Sequence, residues 1–354
     1  MLSAHEKYMH RCLELARLGA GAVAPNPMVG ALLVYDDIII SEGYHKKYGE
    51  AHAEVNCISS VSEKNKNLIP TSTLYVSLEP CVHYGKTPPC ADLIIKNKIP
   101  KVVIGCRDVF EQVAGKGIEK LKHAGIEVLT GILEKESVEL NKRFFTFHQK
   151  QRPYIILKWA KSIDGKVAAS SKSILNERTL ISNEYTNRVV HKWRSEEAGI
   201  MIGTKTALQD NPSLTTRLWN GKNPVRIVVD MNLRLPSNLG IFDKKIKTII
   251  FNKIKQSEEE NLIYFKLESE NTLQQMASAL YQMDIQSIII EGGAKLLQSF
   301  IDADLWDEAR VITNEQMIIG NGINAPELKK AALKKKERYF DDTITCFRNS
   351  LSQY

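Results

Sequence analysis

One histidine and two cysteines, His52, Cys81 and Cys90, constrain this chain more than any other feature of its sequence. Imidazole and thiolate are ligands that Zn²⁺ prefers in proteins, and three of them leave the fourth tetrahedral position open for water. A run of β-forming residues, Thr73–Leu78, ends just before Cys81, whereas His52 and Cys90 stand where helices can begin. The chain must therefore fold so that a strand end and two helix starts meet around one metal ion.

Glu54 follows His52 by two residues and supplies an acid–base group. Zinc lowers the pKa of a bound water from ~15.7 toward ~7, so a hydroxide nucleophile exists at neutral pH. A carboxylate beside the ligand can pass the proton of this water to a leaving amine. This H-x-E…P-C order is typical of zinc-dependent nucleobase deaminases, although there two residues separate the cysteines and here eight do.

A purely structural zinc site in a binding module is the alternative interpretation. Structural zinc sites normally have four protein ligands. This sequence offers three, together with a carboxylate suited to proton transfer, which favours catalysis. His83, two residues after Cys81, could be mistaken for a ligand, but we expect it on the substrate side or in a structural role.

Length and composition indicate a water-soluble protein of two domains. The chain has 354 residues, of which 43% are hydrophobic and 25% charged, as in ordinary globular proteins. It contains no run of 18 apolar residues and no secretory signal pattern at its start, so we expect no membrane partner. The six cysteines, seen with a metal motif, favour a cytoplasmic location.

The net charge of +7 is spread along the chain. The one basic cluster, Lys329–Lys330 with Lys334–Lys336, is interpreted as a solvated helix face. A nucleic-acid deaminase with a basic C-terminal binding domain would need a concentrated basic stripe with aromatic platforms. The dispersed charge favours no nucleic-acid partner.

The pattern of helices and strands changes near residue 150. A capping box at Ser3 and Glu6 predicts the first helix, which should end at Gly19. The later elements of the first half are predicted as a hairpin (Ala31–Tyr35, Ile38–Ser41), strands Thr73–Leu78, Lys101–Gly105 and Glu127–Thr130, and helices Ala53–Ser60, Cys90–Asn97, Gly117–Ala124 and Glu134–Phe147. This alternation indicates a three-layer α/β/α domain. The polar segment His148–Pro153 is predicted to be a linker.

The second half is also predicted to be α/β. Its strands are predicted at Tyr154–Trp159, Gly199–Ile202, Val225–Val229, Thr248–Phe251, Leu262–Phe265, Ser287–Ile290 and Ala309–Ile312, and its helices at Asn183–Glu197, Asn271–Met283 and Ala294–Ile301. The segment Ser257–Asn261 is predicted to be a surface loop or short helix.

A weaker signal for phosphate binding lies in the second half. A strand is followed by Glu291-Gly292-Gly293 and then by a helix, whose first N–H groups can meet a phosphate. A tight turn without a ligand is the alternative. Lys158 and Asp164 frame a second turn, which either faces the same cleft or forms a hairpin with exposed charges.

Several motifs together resemble the family of bifunctional deaminase–reductases of riboflavin biosynthesis. In the first half they are Pro25-Asn26-Pro27-Met28-Val29-Gly30, Gly43-Tyr44-His45, His52-Ala53-Glu54-Val55, Ser77-Leu78-Glu79-Pro80-Cys81, Gly85-Lys86-Thr87-Pro88-Pro89-Cys90 and Gln112-Val113-Ala114-Gly115-Lys116-Gly117. In the second half they are Lys158…Ser162-Ile163-Asp164-Gly165-Lys166, Gly203-Thr204-x-Thr206, Asp210-Asn211-Pro212 and Glu291-Gly292-Gly293. The resemblance covers nearly the whole chain.

The resemblance implies two consecutive reactions in two domains. A cytidine-deaminase-like domain, residues 1–148, would deaminate the small molecule 2,5-diamino-6-ribosylamino-4(3H)-pyrimidinone 5′-phosphate with Zn²⁺. A dihydrofolate-reductase-like α/β domain, residues 149–354, would then use NADPH to reduce the ribosyl group of the product to ribityl. We also expect a homo-oligomer, either a dimer or a tetramer.

The resemblance also implies roles for individual residues. His52, Cys81 and Cys90 would ligate zinc, Glu54 would be the catalytic proton shuttle, and the deaminase substrate would contact Asn26, His45 and Lys86. In the reductase, the cofactor positions are Ala160, Thr206, Asp210, Gly293, Ala294 and Lys295, and the substrate positions are Arg194, Leu214, Arg217 and Glu291. Arginine suits a ribose phosphate because its planar fork binds two oxygens at once.

One position departs from the family pattern. Leu180-Ile181-Ser182 stands where the family has a Trp-Ile-Thr-like run at the cofactor site. The missing aromatic ring removes stacking worth ~0.5–1.5 kcal/mol beyond simple burial. A deaminase whose reductase domain binds NADPH poorly is therefore an alternative function.

Overall fold

The structure is a computed structural model that describes residues 3–84, 88–110, 113–169 and 180–352. The chain forms two compact units that divide between Lys150 and Gln151. Each unit has its own sheet and its own buried core.

The first unit contains six helices and five strands in the part of the chain that the structure describes. In chain order they are α1 (Ala4–Arg17), β1 (Gly30–Tyr35), β2 (Ile38–Tyr44), α2 (Ala53–Ser59), β3 (Thr73–Leu78), α3 (Cys90–Lys96), β4 (Lys101–Cys106), α4 (Lys116–His123), β5 (Glu127–Thr130), α5 (Glu134–Leu140) and α6 (Lys142–Lys150). A 3₁₀ helix, Glu63–Thr71, precedes β3. The capping box of Ser3 and Glu6 is present at the start of α1, as predicted.

The five strands form one mixed sheet in the order β2-β1-β3-β4-β5. Side chains alternate between the faces of a strand, and β1 shows this directly. Leu33 packs among residues of α2, α3 and α4 on one face, and Leu32 packs with α1 residues such as Met9 on the other. Both leucines are fully buried. The predicted three-layer α/β/α arrangement is confirmed.

The predicted helix Glu134–Phe147 is wrong in one respect, because the structure has two helices that meet at Asn141. The buried Asn141 amide accepts from Met28 N and donates to Met28 O, both at 2.8 Å. This pairing satisfies the backbone N–H and C=O groups of Met28. The Asn141 side chain therefore ties the junction of the two helices to the loop that carries Asn26.

The second unit contains four helices and twelve strands in its described part. They are β6 (Tyr154–Ser162), β7 (Lys166–Ala169), α7 (Glu184–Glu196), β8 (Gly199–Gly203), α8 (Thr204–Asp210), β9 (Val225–Val229), β10 (Thr248–Asn252), β11 (Ser257–Glu259), β12 (Leu262–Lys266), α9 (Thr272–Gln282), β13 (Ser287–Ile290), α10 (Ala294–Asp302), β14 (Glu308–Asn314), β15 (Gly322–Asn324), β16 (Ala331–Tyr339) and β17 (Asp342–Asn349). A 3₁₀ turn spans Gly240–Phe242.

Ten of these strands form one sheet, in the order β11-β12-β10-β9-β8-β13-β6-β14-β17-β16. The strands from β12 to β14 in this order run parallel, and antiparallel strands complete both edges. Strands β7 and β15 pair separately. Parallel strands bring their carboxyl ends to one edge of a sheet, where α/β proteins place their sites. In this unit β8, β13 and β6 are adjacent parallel strands, so their carboxyl ends lie at the same edge of the sheet.

Three predictions differ from the structure. The predicted linker His148–Pro153 contains the division between the two units, but it is helical up to Lys150, and Arg152 forms a bidentate pair with the buried Asp307 at 2.6 and 2.8 Å. Ser257–Glu259 is strand β11 and not a loop or helix, because it pairs with β12. The basic residues Lys334–Lys336 lie on β16, an exposed edge strand, and not on a helix.

None of the helices in the described residues combines the length and the apolar character needed to cross a membrane.

Candidate active sites

The structure brings the three predicted zinc ligands together. His52, Cys81 and Cys90 offer ligand atoms that all lie within 4.8 Å of one another. His52 Nδ1 lies 3.5 Å from Cys81 Sγ and 3.4 Å from Cys90 Sγ. Two ligands of a tetrahedral zinc, with bonds of ~2.1 Å to nitrogen and ~2.3 Å to sulfur, stand ~3.5 Å apart. The donor types and their separations therefore fit one zinc ion.

Secondary structure fixes each of these side chains. His52 is the N-cap of α2, and Cys90 is the first residue of α3. Cys81 follows β3, and its carbonyl accepts from Ala91 N at 3.1 Å, while its Sγ accepts from Cys90 N at 3.4 Å. Hydrogen bonds from Cys90 and then from His52 hold the pKa of the Cys81 thiol below its usual range. The site is thus preorganised for a thiolate ligand.

Glu54 lies in the first turn of α2 and is 3% exposed. Burial, followed by the nearby Cys81, raises the pKa of its carboxyl to about 7. A carboxyl with a pKa near neutrality can accept and return a proton in the same cycle. Glu54 therefore has the position and the environment of a proton shuttle.

Two of the three predicted substrate contacts lie beside the ligand cluster. The ring centroids of His45 and His52 are 5.3 Å apart, and His45 Nε2 lies 3.1 Å from Asn26 Nδ2. His45 Nδ1 lies 3.0 Å from Ala51 O, and burial lowers the pKa of this histidine. The third predicted contact, Lys86, lies outside the described residues.

His83 does not belong to the ligand cluster in the described part of the first unit. Its ring lies 5.8 Å from the ring of Phe110, edge to face. Phe110 in turn contacts His148 at 5.2 Å. The side chain of His83 therefore packs in an aromatic row near the site.

The second site forms where the carboxyl end of β13 meets the middle of β6. Glu291 directly follows β13, and β6 carries Lys158 one position beyond the residue paired with Ile290. Arg194 of α7 donates to Glu291 through Nε and Nη2, both at 2.7 Å, and Lys158 Nζ lies 3.6 Å from Glu291 Oε2. Burial raises the pKa of Glu291. The positive charges of Arg194 and Lys158 outweigh this effect and lower the pKa of Glu291 to about 2.

His191 belongs to the same cluster, although no sequence pattern indicated it. It is 4% exposed, and its Nδ1 accepts from Leu218 N at 3.5 Å. Burial, and then the charges of Arg194 and Arg217, lowers the pKa of His191 to about 4. A neutral imidazole therefore holds the segment that carries the predicted substrate residue Arg217.

Two further predicted substrate residues, Leu214 and Arg194, lie on or against the segment that carries Arg217. Leu214 is buried, with a φ of 54°, and Arg194 Nη1 donates to Thr215 O at 3.3 Å. Arg217 itself is exposed. The structure therefore brings Arg194, Leu214 and Glu291 together and leaves the Arg217 side chain at the surface.

The glycine pair after β13 approaches α8 closely. A Cβ on Gly292 would lie 2.7 Å from Thr206 Cγ2, whereas one on Gly293 would have 3.7 Å to Thr206 Oγ1. Gly293 has a φ of 78°, which L side chains rarely adopt. The hydroxyl of Thr206 therefore stands beside the turn. The hydroxyl of Thr204 is already used, because it donates to Val229 O at 2.8 Å.

The remaining predicted reductase residues are spread over several elements. Ala160 lies in β6, Asp210 ends α8, and Ala294 and Lys295 begin α10, directly after the glycine turn. Asp164 accepts hydrogen bonds from Ser162 Oγ and from the backbone N–H groups of Ile319 and Gly320. Its carboxylate thus joins the turn after β6 to a neighbouring loop.

Comparison with known proteins finds a family match for each unit. Residues 2–106 match the family model of the cytidine and deoxycytidylate deaminase zinc-binding region, and residues 153–338 match that of the RibD C-terminal domain. Riboflavin biosynthesis protein RibD of Bacillus amyloliquefaciens is 40% identical over 313 residues, which cover 86% of this chain and 82% of the relative. RibD of Aquifex aeolicus is 35% identical over 357 residues, 97% and 98% of the two chains.

Solved structures give the same result for the fold. The diaminohydroxyphosphoribosylaminopyrimidine deaminase/5-amino-6-(5-phosphoribosylamino)uracil reductase of Thermotoga maritima has a TM-score of 0.86 and 36% identity, covering 98% of this chain and 99% of its own. RibD of Acinetobacter baumannii has a TM-score of 0.87 and 29% identity, covering 98% of each chain.

The two folds, the ligand cluster and these matches define an enzyme in which a zinc-binding deaminase domain precedes a reductase domain. The cytidine-deaminase-like and dihydrofolate-reductase-like folds predicted from the sequence are confirmed. The chain belongs to the RibD family, the bifunctional deaminases and reductases of riboflavin biosynthesis. The reductase domain implies a nicotinamide cofactor.

Proposed function

We propose that the first unit uses zinc to remove the pyrimidine amine of 2,5-diamino-6-ribosylamino-4(3H)-pyrimidinone 5′-phosphate. The second unit then reduces the ribosyl group of the product to ribityl with NADPH. The observation that carries this proposal is the convergence of His52, Cys81 and Cys90 within 4.8 Å, with the buried Glu54 on the same helix as the histidine.

In the deaminase, His52, Cys81 and Cys90 would hold the metal. Zinc in this position supplies the activation of water at neutral pH that hydrolytic deamination needs. Glu54 accepts a proton from the attacking water and returns it to the departing amine, so one residue serves as base and then as acid. Its burial keeps bulk water away from both transfers.

Asn26 and His45 would orient the pyrimidine in this reaction. Their side chains contact each other at 3.1 Å, and His45 is held by the backbone of Ala51. Because the His45 ring lies edge to face with the proposed ligand His52, a base bound against His45 is also near the metal position. The pair would thus hold the pyrimidine beside the metal ligands.

In the reductase, NADPH supplies the hydride, and residues of the second unit would position both reactants. The N–H groups at the start of α10 and the Thr206 hydroxyl can receive a cofactor phosphate beside the glycine turn. Arg217 is an exposed cation that could bind a ribose phosphate. Arg194 instead holds the buried Glu291, and that pair would lie beside the substrate.

A two-channel assay tests the proposal. Purified full-length protein is given the pathway substrate, zinc and NADPH, while ammonia release and NADPH oxidation are followed separately. We expect ammonia release without NADPH, and NADPH oxidation only after deamination. Ammonia release without any NADPH oxidation would favour the alternative of an impaired reductase, in which the exposed Leu180 fails to replace an aromatic contact.

A further inference from the structure

Glu79 stands between strand β3 and the predicted zinc ligand Cys81, and it is 3% exposed. Its carboxylate accepts four backbone hydrogen bonds from described residues at 2.9–3.1 Å, two on each oxygen. The donors are the N–H groups of Asp108 and Gly115 on Oε2 and those of Gly117 and Ile118 on Oε1. Hydrogen bonds to an ionised carboxylate are about twice as strong as neutral ones.

Three of these donors belong to the start of α4. Gly115 is the N-cap of this helix, with a φ of 84°, and Gly117 and Ile118 lie in its first turn. The first N–H groups of a helix lack intrahelical acceptors and carry the positive end of the helix dipole. Glu79 therefore supplies the acceptor and the charge that the start of α4 needs.

The same short segment also carries the predicted zinc ligand Cys81. Cys81 O accepts from Ala91 N at 3.1 Å, and Cys81 Sγ accepts from Cys90 N at 3.4 Å, so Cys81 is tied to α3. Gly117 of α4 also lies so close to Pro80 that a Cβ on Gly117 would be 2.1 Å from Pro80 O. Residues 79–81 are thus held by α4 at one end and by α3 at the other.

We propose that Glu79 is a positioning residue of the zinc site. By fixing α4 against Pro80, its carboxylate sets the direction in which Cys81 Sγ points toward His52 and Cys90. The inference rests on the proposed function, since it takes these three residues as the ligands. Outer residues that orient metal ligands typically change metal affinity by ~10–100-fold when replaced.

The test compares Glu79→Gln with Glu119→Gln in the zinc-loaded full chain. A glutamine keeps the shape but accepts on one oxygen only, so one pair of N–H groups would face an NH₂ group instead. Glu119 is an exposed carboxylate on the same helix and serves as the matched control. Zinc affinity is measured by competition with a chromophoric chelator, and ligand geometry by the visible absorption of the Co²⁺-substituted protein.

We expect Glu79→Gln to bind zinc ~10–100-fold more weakly and to shift the Co²⁺ bands, while Glu119→Gln matches the wild type in both. A folded Glu79→Gln protein with wild-type zinc affinity and wild-type Co²⁺ bands would overturn the inference and leave the proposed function standing. A wild-type protein that deaminates without zinc would instead overturn the proposed function, and the inference with it.

Hydrogen exchange of the wild type keeps the inference testable if Glu79→Gln does not fold. Removal of zinc should accelerate amide exchange at Gly115, Gly117 and Ile118, because Cys81 and the start of α4 share the Glu79 segment. The amides of α1 serve as the internal control. Unchanged exchange at these three positions after zinc removal would contradict the positioning role.

Discussion

Arg194 and Glu291 lie 97 residues apart in the chain and are joined by two hydrogen bonds of 2.7 Å. Both side chains are nearly buried, with exposed fractions of 12% and 6%. This carboxylate occupies the Nε and Nη2 side of Arg194, and Nη1 donates to Thr215 O, so three of the five N–H groups are already used and fewer remain for the phosphate contact expected from the sequence. Arg217, exposed on the segment that Arg194 and His191 hold, is the better candidate for that role.

Removal of the Glu291 charge should destabilise the second unit. Glu291→Gln leaves Arg194 and Lys158 without their common partner, and loss of one member of a buried pair costs about 3–5 kcal/mol. Tryptophan fluorescence during urea unfolding measures this, since all four tryptophans of the chain lie in the second unit. The surface variant Arg217→Gln should change stability by less than ~0.5 kcal/mol and instead raise the KM of the reductase. Equal stability of the two variants would contradict the assignment.

Replacement of Glu54 should separate metal binding from catalysis. Glu54→Gln can hydrogen-bond water but cannot accept its proton, so we expect normal zinc content and a loss of ~10²–10⁴-fold in deamination. Zinc content is measured by elemental analysis and deamination by ammonia release. Glu50→Gln, a change at an exposed carboxylate four residues earlier, is the control and should remain active. Near-normal deamination by Glu54→Gln would remove this residue from the mechanism.

Stability of the second unit should fall in mildly acidic solution because of His191. Its pKa is about 4 in the folded protein, below the ordinary value of 6.5, so the unfolded chain binds the proton more readily. The stability that His191 contributes is therefore fully present above pH 6.5 and is lost as the pH falls toward 4.

Urea unfolding at pH 7, 6 and 5, followed by tryptophan fluorescence, tests this effect. We expect His191→Gln to flatten the loss of stability over this range, because glutamine does not titrate. Glu291 adds little to the change in stability over this pH range, because its pKa of about 2 in the folded protein and its ordinary value of 4.5 both lie below pH 5. An identical pH dependence in variant and wild type would rule out His191 as the source.

Two threonines of α8 allow a matched test of the cofactor site. Thr206→Val keeps the shape of the side chain but removes the hydroxyl beside the glycine turn, and we expect NADPH to bind ~10–100-fold more weakly because a hydrogen bond to a charged group is lost. Thr204→Val removes a hydroxyl that serves Val229 O. It should lower stability and spare the affinity of the folded protein. Gly293→Val is less informative, since its φ of 78° strains any side chain.

Titration of NADPH into the wild type and both threonine variants, followed by cofactor fluorescence, gives the affinities. Equally tight binding by all three proteins would remove Thr206 from the cofactor site. Absence of binding by the wild type would support the alternative that Leu180 marks a reductase domain with impaired cofactor binding.

The two activities should be separable, and the stability of the second unit should depend on Arg152. We predict that residues 1–150 deaminate and that residues 151–354 oxidise NADPH with the deaminated substrate. A fragment that starts at Tyr154 lacks the Arg152–Asp307 pair and should be less stable by about 3–5 kcal/mol. Urea unfolding of the reductase fragments that start at Gln151 and at Tyr154 measures the difference in stability. Equal stability would show that Arg152 belongs to a linker, as the sequence predicted.

Local sequence patterns were sufficient for much of the fold and for the first site. The predicted strand Thr73–Leu78 has the bounds that the structure gives, because its β-forming residues pack directly into the sheet. The ligand set was also visible, since thiolates and an imidazole at a strand end and two helix starts have few other uses. The contact of Asn141 with Met28 and the edge strand β16 were not visible, because each depends on a partner elsewhere in the chain.

The sequence by itself determined the types of residue that carry the chemistry and the alternation of strands and helices. Both follow from side-chain chemistry and from short-range periodicity, which depend only on residues close together in the sequence. The tertiary structure alone decided that the Arg194 fork is occupied by Glu291, that His191 stays neutral among cations, and that the Glu79 carboxylate supports the start of α4. These depend on which groups packing brings together and removes from water, and no local pattern records that.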